Sequence, residues 1–281
     1  MTTIIRCHTI LHFAVVMSTL CLALTCPRVT AADSNFVIED CVFLAQHDNT
    51  EQAYVLMVPK AWDQSMPISI LIALHGHGSD RWQFVRQPRD ECRAVREVAA
   101  ENGMLIVAPD YRASTSWMGP AAEADVVQLV QQLKIRFPVD RVIVCGGSMG
   151  GTAALTFTAI HPDLVDGVVA INGTANLVDY ERFQDAIAQS FGGTKQEVPD
   201  QYRKRSAKFA PERFTMPLAA TTGGKDEVVP CSSTLRLLKK VSEHNKDVLS
   251  IHRPNGGHST NLADTRKALE FVLKASAADG K

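Results

Sequence analysis

The stretch VIVCGGSMGGTAAL, residues 142 to 155, constrains the chain more than any other. A continuous apolar segment runs into one serine bracketed by Gly146, Gly147, Gly150 and Gly151, and then into helix-forming residues. Glycine removes side chains and lets the backbone take positive φ, so the cluster clears space around the Ser148 hydroxyl. GGSMG fits G-x-S-x-G between a strand and a helix. In that context a sharp turn strains the serine backbone and holds the hydroxyl out above a sheet. The positive end of the following helix favours the negative charge that develops there during attack. Ser148 is therefore expected to be a nucleophile.

A serine hydroxyl is too weak an acid to attack alone, so a base must take its proton and a carboxylate must orient that base. In a strand–turn–helix setting of this kind the chain order is serine, acid, histidine. TTGGKDEVVP follows the seventh apolar run and offers Asp226; PNGGHST follows the last and offers His258. Glu227 adjoins Asp226 but points elsewhere on the turn. His252 lies within a strand, and His161 precedes Pro162 at a helix end, where it can meet terminal carbonyls. Charge developing on a carbonyl oxygen needs two donors. One is the N–H of Met149; the other is assigned to the N–H of His77 in LHGHGSD, with Gly78 the alternative. The His75 and His77 side chains read as structural or pocket-lining rather than as metal ligands. Trp117 and Met118 are candidates for the pocket wall, where Trp117 either stacks on a sugar or aromatic group or packs its loop onto the domain. Arg112 either binds a substrate carboxylate or pairs with a neighbouring acid.

The remaining sequence reads as a scaffold for this constellation. Strands are expected at FVIEDCVFLA from Phe36, AYVLMVP from Ala53, ISILIALH from Ile68, MLIVAP from Met104, RVIVCG from Arg141, DGVVAIN from Asp166, PLAATTG from Pro217 and VLSIHRP from Val248. Helices fit at about 88 to 102, 121 to 137, 149 to 161, 231 to 245 and 260 to 276. The alternation predicts an α/β protein with a mostly parallel eight-stranded sheet, helices on both faces and an antiparallel pair at its start. The third to eighth strands have the continuous apolar character of strands covered on both sides. A polar insertion, about 174 to 214, follows the sixth strand, carries a helical stretch near Tyr180 to Phe191, and is placed over the carboxyl ends of the strands.

Residues 1 to 32 have the layout of a secretory signal peptide: an early Arg6, an apolar stretch from about Thr9 to Cys26, and small residues before an expected cleavage near Ala31 or Ala32. A single domain over 33 to 281 follows, exported to a periplasmic or extracellular space. An N-terminal membrane anchor is the alternative, with no stable membrane insertion expected, because His12 and several Ser and Thr dilute the run. Cleavage removes Arg6 and Arg28, leaving 27 basic against 30 acidic residues. That balance implies no nucleic-acid partner. Cys41, Cys92, Cys145 and Cys231 remain; they permit a disulfide without demanding one, and their spacing matches no zinc pattern. No metal or cofactor is expected, and the oligomeric state is open.

LHGHG, DYRASTSW, GGSMGG and the pair TGGKDEVVP and GGHS resemble the catalytic domain of the prolyl oligopeptidase family and its esterase relatives in the α/β-hydrolase fold. The resemblance covers roughly residues 53 to 275. It implies a Ser148, Asp226, His258 triad and a serine hydrolase that needs no cofactor. The peptidases of that family carry a large β-propeller before the catalytic domain. Here about twenty residues separate the signal segment from the first core strands, so no gating by size is expected. The function expected is cleavage of small-molecule or polymer carboxylic esters through an acyl-enzyme. A peptidase without a gating domain and a catalytically silent binding protein are the alternatives.

Overall fold

A computed structural model describes residues 35–278; the expected signal segment lies outside them. All eight expected strands are present: β1 (Phe36–Leu44), β2 (Glu51–Pro59), β3 (Ile68–Leu74), β4 (Leu105–Pro109), β5 (Val139–Gly147), β6 (Gly167–Ile171), β7 (Leu218–Gly223) and β8 (Val248–Arg253). They form one sheet in the order β1-β2-β4-β3-β5-β6-β7-β8. β1 pairs antiparallel with β2, and β2 antiparallel with β4; every later pairing is parallel.

Alternation along each strand decides what covers each face, because successive side chains point to opposite sides. On β5, Val142 and Val144 join one core with Val126 and Leu129 of α3 (Pro120–Arg136), Leu155 and Phe157 of α4 (Met149–Ile160), and Leu237 of α7 (Ser232–Val241). Ile143 and Cys145 join the other, with Val95 and Val98 of α2 (Asp90–Glu101) and Leu269 and Val272 of α8 (Leu262–Ala278). A short α1 (Gln83–Arg86) precedes α2. The continuous apolar reading holds for β3 to β7 but not for β8, where Ser250, His252 and Arg253 are exposed. β8 pairs only with β7, so it is an edge strand with a wet flank. All four described cysteines are free thiols. No described helix is long and apolar enough to cross a membrane.

The insertion after β6 holds α5 (Gln184–Phe191), α6 (Pro199–Lys204) and two single 3₁₀ turns, Ala207–Phe209 and Pro211–Arg213. Its helical stretch begins at Gln184, four residues later than the sequence suggested. It does not hang free over the sheet. Arg205, 1% exposed, donates to the carbonyl oxygens of Met118 at 2.9 Å and of the Gln201 side chain at 2.7 Å, and pairs with Glu123 of α3. The Thr156 hydroxyl on α4 donates to the Arg205 carbonyl at 2.8 Å. A guanidinium buried this way is tolerated only because nearly every donor has a partner.

Strand order reverses between β3 and β5, so their connections leave on opposite faces and open a crevice at the carboxyl ends. The turn from β5 into α4 is packed backbone on backbone there. A Cβ on Gly150 would overlap the Leu74 carbonyl, and one on Gly151 would stand 2.7 Å from the Ile171 carbonyl oxygen; one on Gly147 would meet nothing within 4 Å. Gly150→Ala is accordingly expected to cost about 1 to 3 kcal/mol or more in urea unfolding, against no more than about 0.5 kcal/mol for Gly147→Ala. Equal effects would show that the close approach is not limiting.

Candidate active site

Ser148 ends β5 and begins α4 with φ 58° and ψ −116°, a conformation that L-residues seldom adopt. Its own N–H donates to the Ile171 carbonyl at 2.8 Å, which pins the turn to β6. The side chain is left facing the crevice, with Oγ 2.8 Å from Nε2 of His258. Nδ1 of the same ring lies 2.8 Å from Oδ2 of Asp226. The structure thus brings the three residues singled out after β5, β7 and β8 into one hydrogen-bonded line. With Asp226 ionised, Nδ1 carries the imidazole proton and donates it, so Nε2 accepts from the serine hydroxyl.

Asp226 is 7% exposed and held on every side. Oδ1 accepts the N–H groups of Val228 at 2.9 Å and Val229 at 2.8 Å, so the turn that presents the acid also satisfies it. Glu227 is exposed and lines a separate hollow with Arg182 and Arg236. His252 is bonded to the Thr222 hydroxyl at 2.9 Å, and His161 to Glu123 at 3.0 Å rather than to helix-end carbonyls. Neither reaches Ser148.

Of the two expected amides, that of Met149 is the first of α4 and has no acceptor within the helix. In the loop after β3, Gly76 N–H donates to the Gln83 side chain at 2.8 Å and Gly78 N–H to the Ser114 carbonyl at 2.7 Å. The alternative donor, Gly78, is therefore spent. The N–H of His77, between them, meets no acceptor among the described residues. His77 is held by its ring: Nδ1 accepts the indole N–H of Trp117 at 3.1 Å, and the ring packs on Phe183 with centroids 4.3 Å apart. Burial holds the His77 imidazole below its usual pKa, which keeps Nδ1 free to accept.

Trp117 is fully buried, so it is not a wall of the crevice. Its packing role is the one realised: it lies beneath His77 and against Tyr180 and Phe183. Met118 is likewise buried. Arg112 does not face Ser148; it pairs with Asp48 at 2.7 Å and with Asp125 at 2.9 Å, the neighbouring-acid alternative. The loop from Asp110 to Gly119 instead shapes the His77 loop, since Tyr111 Oη also donates to the His75 carbonyl at 2.6 Å. His75 is buried and bonded to backbone carbonyls of Gly76 and Asp110.

Above Ser148 and His258 lies a cleft of about 710 Å³. Its apolar part comes from Ile171, Val228 and Phe183; a polar part comes from the segment before α2 and the turn after His258. Sequence reasoning missed Phe183, Gln83 and Asn172. Asn172, at φ 48°, spans the acid and base turns: its amide reaches Asp226 at 3.4 Å and the Gly257 carbonyl at 3.3 Å, while its oxygen accepts from Thr221 at 3.0 Å. An asparagine at a strand end is a weak signal, but it is one of the few residues that tolerates this backbone region. Phe183, also at positive φ, carries no sequence signal at all.

The chain is 22% identical to dipeptidyl aminopeptidase BIII of Pseudoxanthomonas mexicana over 262 residues, which is 83% of this chain and 37% of that protein. It thus spans little more than a third of that curated relative. Among solved structures, fluorophosphonate-binding serine hydrolase F of Staphylococcus aureus superposes with TM-score 0.65 at 15% identity, covering 88% of this chain and 99% of that one. An S-formylglutathione hydrolase from Agrobacterium tumefaciens gives 0.64 at 16%, covering 87% and 95%. These likenesses show the α/β-hydrolase fold. The profile of the prolyl oligopeptidase family matches residues 91–278, from α2 to the end of α8, and the chain belongs to that family of serine hydrolases.

Proposed function

We propose that this chain is an exported serine hydrolase that cleaves carboxylic esters through an acyl-enzyme. The observation that carries the chemistry is the continuous line from Ser148 through His258 to Asp226, with both contacts at 2.8 Å. Ser148 Oγ bonds to the acyl carbon as its proton passes to His258 Nε2. Asp226 holds the imidazolium, and the amides of Met149 and His77 receive the oxyanion. His258 then protonates the leaving oxygen, the acyl carbon–oxygen bond breaks, and the neutral histidine activates water for deacylation. Export rests on the layout of residues 1 to 32.

Preference for esters is supported by the two solved neighbours that match along nearly their whole length, both hydrolases without a peptidase name. The peptidase reading is favoured by the dipeptidyl aminopeptidase relative and by Asp90 and Glu91 in the cleft wall, since carboxylates can grip a peptide's ammonium. Of these, Asp90 already gives one oxygen to the Leu262 N–H at 3.1 Å. Esters also ask less alignment of the scissile bond than amides do.

A fluorophosphonate is expected to label Ser148 alone, and labelling that survives Ser148→Ala would remove the assignment. Ser148→Ala and His258→Ala should each abolish nearly all turnover, and the double variant should lose little more, because such residues act as a unit. Trp117→Phe keeps an aromatic ring, smaller than the indole, but lacks the N–H that holds His77. It should lower kcat roughly tenfold with little change in KM, a fraction of what deleting an oxyanion donor costs. Lower thermal stability with unchanged kcat would mean that Trp117 only packs. For substrate class, kcat/KM for a short acyl ester should exceed that for a matched aminoacyl amide by at least about 10³, or roughly 4 kcal/mol. Comparable turnover of alanine- or proline-linked dipeptide amides on the same preparation would establish the peptidase reading instead.

A further inference from the structure

The leaving oxygen of an ester must come within reach of His258 Nε2 to be protonated, so the alcohol half of the substrate lies on the histidine side of the cleft. That side is built from two segments with no part in the triad or the amide pair: the stretch before α2, and the turn that follows His258. Between them they present Gln87, Arg89, Ser259 and Thr260, with Asp90 opening α2 beside them. Most of their hydrogen-bonding capacity is unspent. Among the described residues, the Gln87 amide and the hydroxyls of Ser259 and Thr260 have no partner, and Arg89 has none nearer than Glu91 at 3.9 Å. Asp90 spends one oxygen on the Leu262 N–H.

Such a wall selects against an apolar alcohol. Covering it with hydrocarbon would strip water from donors and acceptors that gain nothing in return, and sites of this kind discriminate strongly against ligands that cannot replace those bonds. A ligand dense in hydroxyls restores them. Phe183, which stands across the cleft, 37% exposed and held at positive φ, adds a flat apolar surface of the kind that the carbon–hydrogen face of a pyranose or an acyl chain can cover.

We propose that the alcohol half of the substrate is a saccharide unit seated on this polar wall, so that the enzyme removes acyl groups from sugars. The proposal rests on the ester-hydrolase reading. In the reaction Ser148 Oγ bonds to the acyl carbon, the bond from that carbon to the sugar oxygen breaks, and the proton that His258 took from Ser148 passes to the sugar oxygen. The sugar leaves with its hydroxyl restored. Water then cleaves the acyl-enzyme to a carboxylic acid and free Ser148.

The test uses the full chain with esters that share one acyl group: methyl glucoside acetylated at each position in turn, cyclohexylmethyl and cyclohexyl acetates as apolar matches, and 4-nitrophenyl acetate as activity control. The best sugar acetate is expected to exceed its apolar match at least tenfold in kcat/KM. Gln87→Leu and Arg89→Met should each lower that ratio several-fold, and together about tenfold or more. Because it is a ratio, it does not depend on the fraction of variant that folds. A wild-type ratio near one, with 4-nitrophenyl acetate hydrolysed, overturns the saccharide site and leaves the esterase reading standing. Equal losses on both esters in the variants overturn it too, by showing that the wall is only structural. Turnover of dipeptide amides with no ester cleaved takes down the esterase reading and the proposal together.

Discussion

The approach of the α4 backbone to the carbonyls of Leu74 and Ile171 is the constraint on which the site depends. It draws the ends of β3, β5 and β6 to one point, and only residues without a Cβ can stand at Gly150 and Gly151. Once they do, Ser148 has no choice but the left-handed turn, and its side chain faces the crevice rather than the core. Everything reactive is then a matter of what the neighbouring strand ends supply. β7 and β8, adjacent and parallel, deliver Asp226 and His258 from consecutive turns. β3, on the other side, delivers the His77 amide.

Around that point the backbone is held away from its preferred angles. Of the described non-glycine residues with positive φ, Tyr111, Arg112, Trp117, Met118, Ser148, Asn172 and Phe183 all lie in connections at the carboxyl ends of β4, β5 and β6; among the described residues Asn49 alone lies elsewhere. Each such residue costs roughly 1 to 3 kcal/mol. The cost is offset by contacts formed only in the complete fold, among them Arg205 on the Met118 carbonyl and the Trp117 indole on His77.

The sheet, its helices and the hydrogen-bonded line of Ser148, His258 and Asp226 were legible because each rests on a local pattern: β-branched apolar runs, small residues at the elbow, and a fixed order of serine, acid and histidine. Three features were not. The exposed flank of β8 follows from its place at the sheet edge, which its residues VLSIHR do not announce. The burial of Trp117 depends on Tyr180 and Phe183, more than sixty residues later in the insertion. The pairing of Arg112 with Asp48 likewise joins residues 64 apart in the chain. Such long-range choices among equally suitable partners leave no periodicity to read.

The distribution of strain gives the reactivity of Ser148 a timing. In an extended or half-folded chain the residue is an ordinary serine with an unperturbed hydroxyl, because Asp226, His258 and the His77 amide stand in segments separated by up to about 180 residues. No local stretch can assemble them in advance, and the Met118 turn is itself held by Arg205 of the insertion. The nascent polypeptide is therefore harmless to acyl groups around it. The reactivity of Ser148 is thus a property of the assembled sheet and not of any one segment.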